Sequence, residues 1–230
     1  MDAALPAAPD YAVARYNMVE SQLRPNKVRN AQVLEAMGKI PREMFVPTPL
    51  TGIAYIDEDL QVGTGRYLLE PMVLARFLEE ADIKSTDRVL DIAPASGYST
   101  AILAALALEV VAVERDPALI QQTVGNCDRL KLTNVSVQLG PLTDGWKASA
   151  PYDVIIVNGA ADHVPNILSS QLAEGGRLLI AIRRFGPAQA AHKTEARFYE
   201  RIHGTLSSRT LFDANVKVLP GFEAKPVFSF

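Results

Sequence analysis

Residues Arg88 to Glu114 read Arg-Val-Leu-Asp-Ile-Ala-Pro-Ala-Ser-Gly-Tyr-Ser-Thr-Ala-Ile-Leu-Ala-Ala-Leu-Ala-Leu-Glu-Val-Val-Ala-Val-Glu, the pattern of a strand, a turn of small residues, a helix and a second strand. Val89 to Ile92 is a short apolar run of the kind a strand buried on both faces carries, and Ser99 to Leu108 is rich in alanine and leucine, which favour helix. The second strand, Val110 to Val113, ends on Glu114. In a βαβ unit that acid emerges at the carboxyl edge of the sheet, beside the helix N-terminus opened by Ser96-Gly97. There a carboxylate can accept two hydrogen bonds from a ribose diol. The layout suits a nucleoside, although a βαβ crossover without a ligand has the same outline.

The turn, Ala93-Pro94-Ala95-Ser96-Gly97, keeps one glycine. Small side chains at 93, 95 and 96 let a ligand approach the backbone, but Pro94 has no N–H to donate and fixes its own φ. A pyrophosphate cradle needs several donors. A dinucleotide, and with it a nicotinamide oxidoreductase, is therefore disfavoured against a ligand without phosphates such as S-adenosylmethionine.

The 230 residues suit one α/β domain with additions, or at most two small domains. A composition 48% hydrophobic and 21% charged, with a net charge of −3, gives no electrostatic reason for a nucleic acid or acidic membrane partner. Cys127 is the single cysteine, which rules out an intrachain disulfide or a cysteine-based metal cluster and fits a reducing cytoplasm. Met1 to Pro9 has neither a basic start nor an apolar core, and no apolar run approaches the ~18 to 20 residues of a membrane span. The expectation is a cytoplasmic protein without metal, with residues 1–10 flexible. Its oligomeric state is not written in the sequence.

Taken in order, Tyr11 to Leu23 predicts a helix stopped by Arg24-Pro25, and Asn30 caps a second helix carrying Val33, Leu34 and Met37. These precede any strand and so cap the later sheet. Arg42 and Glu43 are placed to pair locally, and Asp57, Glu58 and Asp59 read as a solvated turn. Gly63 to Pro71 reads as a loop entering a helix that continues from Met72 to Ala81, a loop able to close over a ligand or simply to pack. Beyond Glu114, a helix from Pro117 to Leu132 is capped by Asp116, and strands follow at Val135 to Leu139, Asp153 to Val157 and Arg177 to Ile182, with a short helix at Ile167 to Leu172. The loop after Val157 lies at a carboxyl edge, which makes Asn158 a candidate to face a substrate; His163, in the same loop, is assigned no role. The last segment, beginning with a polar loop after Arg183, predicts an antiparallel pair at Phe198 to His203 and Thr210 to Leu219. The expected fold is α/β, a Rossmann-like and mostly parallel sheet. Within residues 11–230 it divides into an N-terminal cap (11–82), a cofactor core (83–182) and C-terminal strands (183–230).

Several linked motifs resemble the protein-L-isoaspartate O-methyltransferase family from about Asn17 to the C-terminal strands. They are Val33-Leu34-Glu35-Ala36-Met37 with Ile40 to Pro47, Ala54-Tyr55, the loop Gly65 to Pro71, Val89-Leu90-Asp91-Ile92 with Ser96-Gly97-Tyr98, Ala150-Pro151-Tyr152-Asp153, and Gln171 to Leu178. The resemblance implies a class I methyltransferase fold and methyl transfer from S-adenosylmethionine to a carboxylate of a protein or peptide. That acceptor is ionised at neutral pH, so positioning and desolvation outweigh base catalysis. By position, Glu114 with Arg115 would bind the ribose, Asp91 with Ala93, Ala95, Ser96 and Gly97 the methionine part, and Gly140, Pro141 and Leu142 the adenine edge. Arg66, Tyr67 and Leu69 would face the acceptor. Three positions depart from the family pattern. Leu69 stands where the family has a functional serine, which leaves the catalytic residues unassigned; Ala93-Pro94-Ala95 replaces a glycine-rich turn; and Pro141 replaces an Asp. The competing reading is a binding protein of the same fold without catalysis.

Overall fold

The computed structural model describes residues 10–184 and 193–224. The N-terminal segment up to Pro9 and most of the polar loop after Arg183 lie outside the described residues. Asp10 accepts from the amides of Ala12 and Val13 and so starts α1 (Tyr11–Met18), which runs on through a π-helical turn, Val19–Leu23. Asn30 caps α2 (Ala31–Lys39) in the same way, and Val33, Leu34 and Met37 turn inward as a helical stripe.

Arg42 and Glu43 do not pair with each other. Glu43 pairs with Arg15 at 3.0 Å and accepts from the Tyr55 hydroxyl. Arg42 is fully buried, donating to the carbonyls of Ala54 (2.7 Å) and Leu69 (2.8 Å) with its guanidinium 4.8 Å from the centre of the Tyr98 ring. In the 3-10 turn Arg42–Phe45, neighbours point about a third of a turn apart, so adjacency in sequence does not bring the two charges together.

Gly63 to Pro71 is not a loop either. β1 (Leu60–Gly63) and β2 (Arg66–Leu68) form an antiparallel hairpin with Gly63 opposite Arg66. Gly65, at φ 64°, supplies the left-handed residue that the two-residue turn requires. Strand alternation then buries Arg66 and Leu68 and leaves Tyr67 partly exposed. The acids before the hairpin are more than a solvated turn: Asp59 accepts from the Glu70 amide (2.9 Å) and Asp57 from the Met72 amide (3.4 Å), capping α3 (Pro71–Ala81). Asp57 and Glu58 are exposed as expected, and Asp59 is half-buried.

The main sheet is built from β3 (Arg88–Ile92), β4 (Glu109–Glu114), β5 (Val135–Leu139), β6 (Tyr152–Ala161), β7 (Leu172–Arg183), β8 (Thr194–Ile202) and β9 (Thr205–Ala214). Their order across the sheet is β5-β4-β3-β6-β7-β8-β9, parallel from β5 to β7 and antiparallel for the last two. The expected mostly parallel α/β sheet with a terminal antiparallel pair is the architecture observed. Side chains alternate between two cores. Val89, Val110, Val154, Ile156 and Leu179 face one side, with residues of α2, α3 and α4 (Tyr98–Leu106). Leu90, Ile92, Val111, Val113 and Ile155 face the other, with Leu142, Leu168 and Phe222. Each such residue contributes about 1.5–3 kcal/mol of burial. α5 (Pro117–Arg129) is capped by Asp116 through Ala118 at 2.9 Å.

Several boundaries differ from the sequence reading: β7, β8 and β9 begin at Leu172, Thr194 and Thr205, ahead of the expected Arg177, Phe198 and Thr210, and α5 ends at Arg129. The short helix α6 is confined to Asn166–Ser169, because Leu172 already opens β7. β6 runs on to Ala161, and β9 stops at Ala214. The new ends of β6 and β9 have one cause: residues 216–222 leave the hairpin and lie along the end of β6. Ala160 donates to Lys217 and accepts from Leu219, each at 2.9 Å, and Asp162 donates to Phe222 at 3.0 Å. Leu219 rests on Gly159, where any Cβ would collide with it. No helix among the described residues is long and apolar enough to cross a membrane.

Candidate functional site

The sheet order places β4 on one side of β3 and β6 on the other, so the crevice at a topological switch point opens at the carboxyl end of β3. The turn 93–97 lies there. Ala93 and Ala95 have φ of 59° and 55°, and Gly97 has 92°. A Cβ at Gly97 would come within 2.7 Å of Thr123 Cγ2, which makes glycine obligatory, whereas the two alanines carry left-handed strain of about 1–2 kcal/mol each.

Residues 93–97 are all buried, and several of their polar groups are bonded inside the chain. The amide of Ala93 donates to Val113 (3.0 Å) and that of Gly97 to Pro94 (2.9 Å). The Thr123 hydroxyl donates to the Ala95 carbonyl and the Asn126 amide to the Ser96 carbonyl, both at 3.0 Å, while the Ser96 hydroxyl donates to Phe45. Thr123 and Asn126 were not among the residues singled out from sequence. Their signal is there, however: two polar side chains three apart on the inward face of α5.

Asp91 is completely buried behind the turn. Its Oδ2 accepts from Ser99 (2.9 Å) and Thr100 (2.7 Å), and its Oδ1 accepts from Asn158 Nδ2 (2.6 Å). Burial pushes its carboxyl up to about 6; the hydrogen bonds from Thr100, Asn158 and Ser99 pull it down, and the charge of Glu114 adds to the rise. Asn158 also donates to the Ile92 carbonyl at 2.9 Å, so its amide is turned into the sheet and not toward a substrate. The expectation for Asn158 took the carboxyl edge as a single surface, and the β6 side chain at this point ties that edge to β3 instead.

Glu114 has the most consequential surroundings. It is fully buried, and both its carboxylate oxygens lie 3.1 Å from Arg66 Nε, with Arg66 itself 1% exposed. Glu114 Oε1 also accepts from the amides of Arg115 (2.7 Å) and Asp116 (3.2 Å). Arg66, expected on the acceptor side, is thus brought onto Glu114 by the alternation of β2. Leu69 is buried, and its carbonyl is the one held by Arg42. Tyr67 keeps partial exposure.

Beside Glu114, a groove of about 490 Å³ is lined by Arg115, Leu139, Gly140, Pro141, Leu142 and Pro220. Arg115 Nη1 reaches the Pro220 carbonyl at 3.5 Å. His163 lies in a neighbouring depression with Thr143, Pro165 and Phe222. The arrangement is a buried acid at a strand end, an open groove on one flank and a closed turn on the other.

Residues 14–213 match the family described as protein-L-isoaspartate(D-aspartate) O-methyltransferase. The chain belongs to this family. Protein-L-isoaspartate O-methyltransferase 2 of Marinobacter nauticus is 43% identical over 180 residues, covering 78% of this chain and 82% of that protein. The protein-L-isoaspartate O-methyltransferase of Methanoculleus marisnigri is 42% identical over 168 residues, covering 73% and 76%. A solved protein-L-isoaspartate O-methyltransferase superposes with a TM-score of 0.77 at 25% identity over 90% of this chain, which spans 66% of that protein's length. A Plasmodium falciparum protein crystallised with S-adenosyl-L-homocysteine shares the fold, with a TM-score of 0.74 at 20% identity, covering 92% of this chain and 99% of that one.

Proposed function

We propose that this family member transfers a methyl group from S-adenosylmethionine to a carboxylate of a damaged aspartyl residue in a protein or peptide, acting in the cytoplasm. The match of residues 14–213 to the family carries this reading. In it, Gly140, Pro141 and Leu142 form the adenine flank in the open groove, Glu114 and Arg115 the ribose flank, Asp91 and the 93–97 backbone the methionine flank, and Tyr67 the acceptor side.

Of those residues, only the adenine flank borders open space in the conformation described. The groove beside Gly140 has room for an adenine. The ribose carboxylate is taken by Arg66, Asp91 by Ser99, Thr100 and Asn158, and the 95 and 96 carbonyls by α5. In the conformation described, the acceptors proposed for the ribose and methionine parts already hold partners inside the chain. These occupied acceptors are the one feature that speaks for a second reading, a binding protein of the same fold without turnover.

Transfer of label from S-adenosylmethionine to matched isoaspartyl and aspartyl peptides decides between them. Label is expected on the isoaspartyl peptide, slowly, because Leu69 offers no hydroxyl where one well-placed donor contributes about 10- to 1000-fold in rate; Leu69→Ser should raise it. No incorporation above a heat-inactivated control, in wild type or Leu69→Ser, would leave only the second reading.

A further inference from the structure

We propose that Arg66 is an internal competitor for Glu114, so that S-adenosyl ligands bind only after the β1–β2 hairpin withdraws its guanidinium. This rests on Glu114 being the ribose acid of the proposed function. The geometry supports competition in three ways. First, the guanidinium contacts both oxygens of Glu114 at 3.1 Å, the positions at which a diol would donate, and the pair is shut away from water. A buried charge-assisted contact outlasts a neutral diol competing for the same acceptor.

Second, the cation is placed to move with its hairpin. Arg66 Nη1 donates to the carbonyl of Gly65 at 2.9 Å, so the guanidinium is fastened to its own turn. That turn abuts residues 216–222: a Cβ at Gly65 would come within 2.9 Å of Pro220 Cγ. Third, the groove walled by Pro220 stays open while the acid is closed. A ligand can therefore lodge its base first and gain its ribose contact only when hairpin and Pro220 shift together. Apparent affinity then equals the intrinsic affinity scaled by the fraction of molecules in which Arg66 has left.

Titration calorimetry of S-adenosylhomocysteine tests this with wild type, Arg66→Gln and Arg66→Lys. Gln removes the charge but retains a donor for Glu114, and Lys retains the charge. Affinity should rise about tenfold or more in Arg66→Gln and much less in Arg66→Lys. Equal affinity in wild type and a folded Arg66→Gln overturns the competition and leaves the methyltransferase reading standing. No binding by any folded variant at millimolar ligand, together with no methyl transfer, overturns both. Should Arg66→Gln fail to fold, phenylglyoxal labelling of Arg66 in the wild type decides: slow labelling that S-adenosylhomocysteine accelerates supports displacement, and a rate unmoved by the ligand refutes it.

Discussion

Ala93 and Ala95 sit at φ of 59° and 55°, a region in which the Cβ of an L residue crowds its own carbonyl. Glycine would relieve that crowding, while losing a buried methyl and gaining backbone freedom in the unfolded chain. The opposing effects are of similar size. Ala93→Gly and Ala95→Gly are therefore expected to leave stability within about 0.5–1 kcal/mol of wild type. Ala101→Gly, also fully buried but inside α4, should cost clearly more than about 1 kcal/mol. Urea denaturation of the three variants checks this, and equal losses at all three positions would show that the turn alanines carry no strain. The sequence reading recognised these residues as small and ligand-permissive. Their left-handed backbone was not legible, because alanine rarely adopts it and so carries no signal for it. Arg66 was similarly misplaced: its partner lies 48 residues away, and no local pattern names it.

At the N-terminus of α3, Glu70 meets Asp57, Glu58 and Asp59. Burial, first, and then the charges of Asp57, Asp59 and Glu58 push its carboxyl up to about 7 from an ordinary value of 4.5. The folded chain therefore holds this proton where the unfolded chain releases it. Its contribution to stability is complete below about pH 4.5, declines as pH rises, and is lost by about pH 7 to 8. Glu70→Gln should thus raise the melting temperature at pH 8 more than at pH 5, and an equal shift at both would remove Glu70 from the account. Repulsion among these acids is opposed by the capping hydrogen bonds that Asp57 and Asp59 accept. The elements around this cluster were partly legible. The helix was announced by Pro71 and its apolar stripe, whereas the hairpin before it was not, since β2 has only three residues and no alternation can be established over so short a run.

Across the molecule, the central parallel strands declared themselves through buried apolar stretches such as Val110–Val113 and Val154–Val157. The covering of their carboxyl edge did not. It is assembled from the 3-10 turn at Arg42–Phe45, the hairpin and residues 216–222, three stretches far apart in sequence that meet only in the fold. Leu219 fastens the last of them by packing on Gly159. Leu219→Ala is expected to cost about 2–4 kcal/mol through the cavity it leaves. It should also speed hydrogen exchange at 159–162 and 216–222, while the amides of β4 stay protected. A loss below about 1 kcal/mol, or exchange that rises uniformly, would count against Leu219 as the fastening point. Residues 216–222 lie past 213, the last position matched to the family. Inherited changes in those seven residues can therefore alter how readily the edge uncovers while every motif by which kinship is recognised stays intact, so lineages alike in every diagnostic position can still diverge in ligand access.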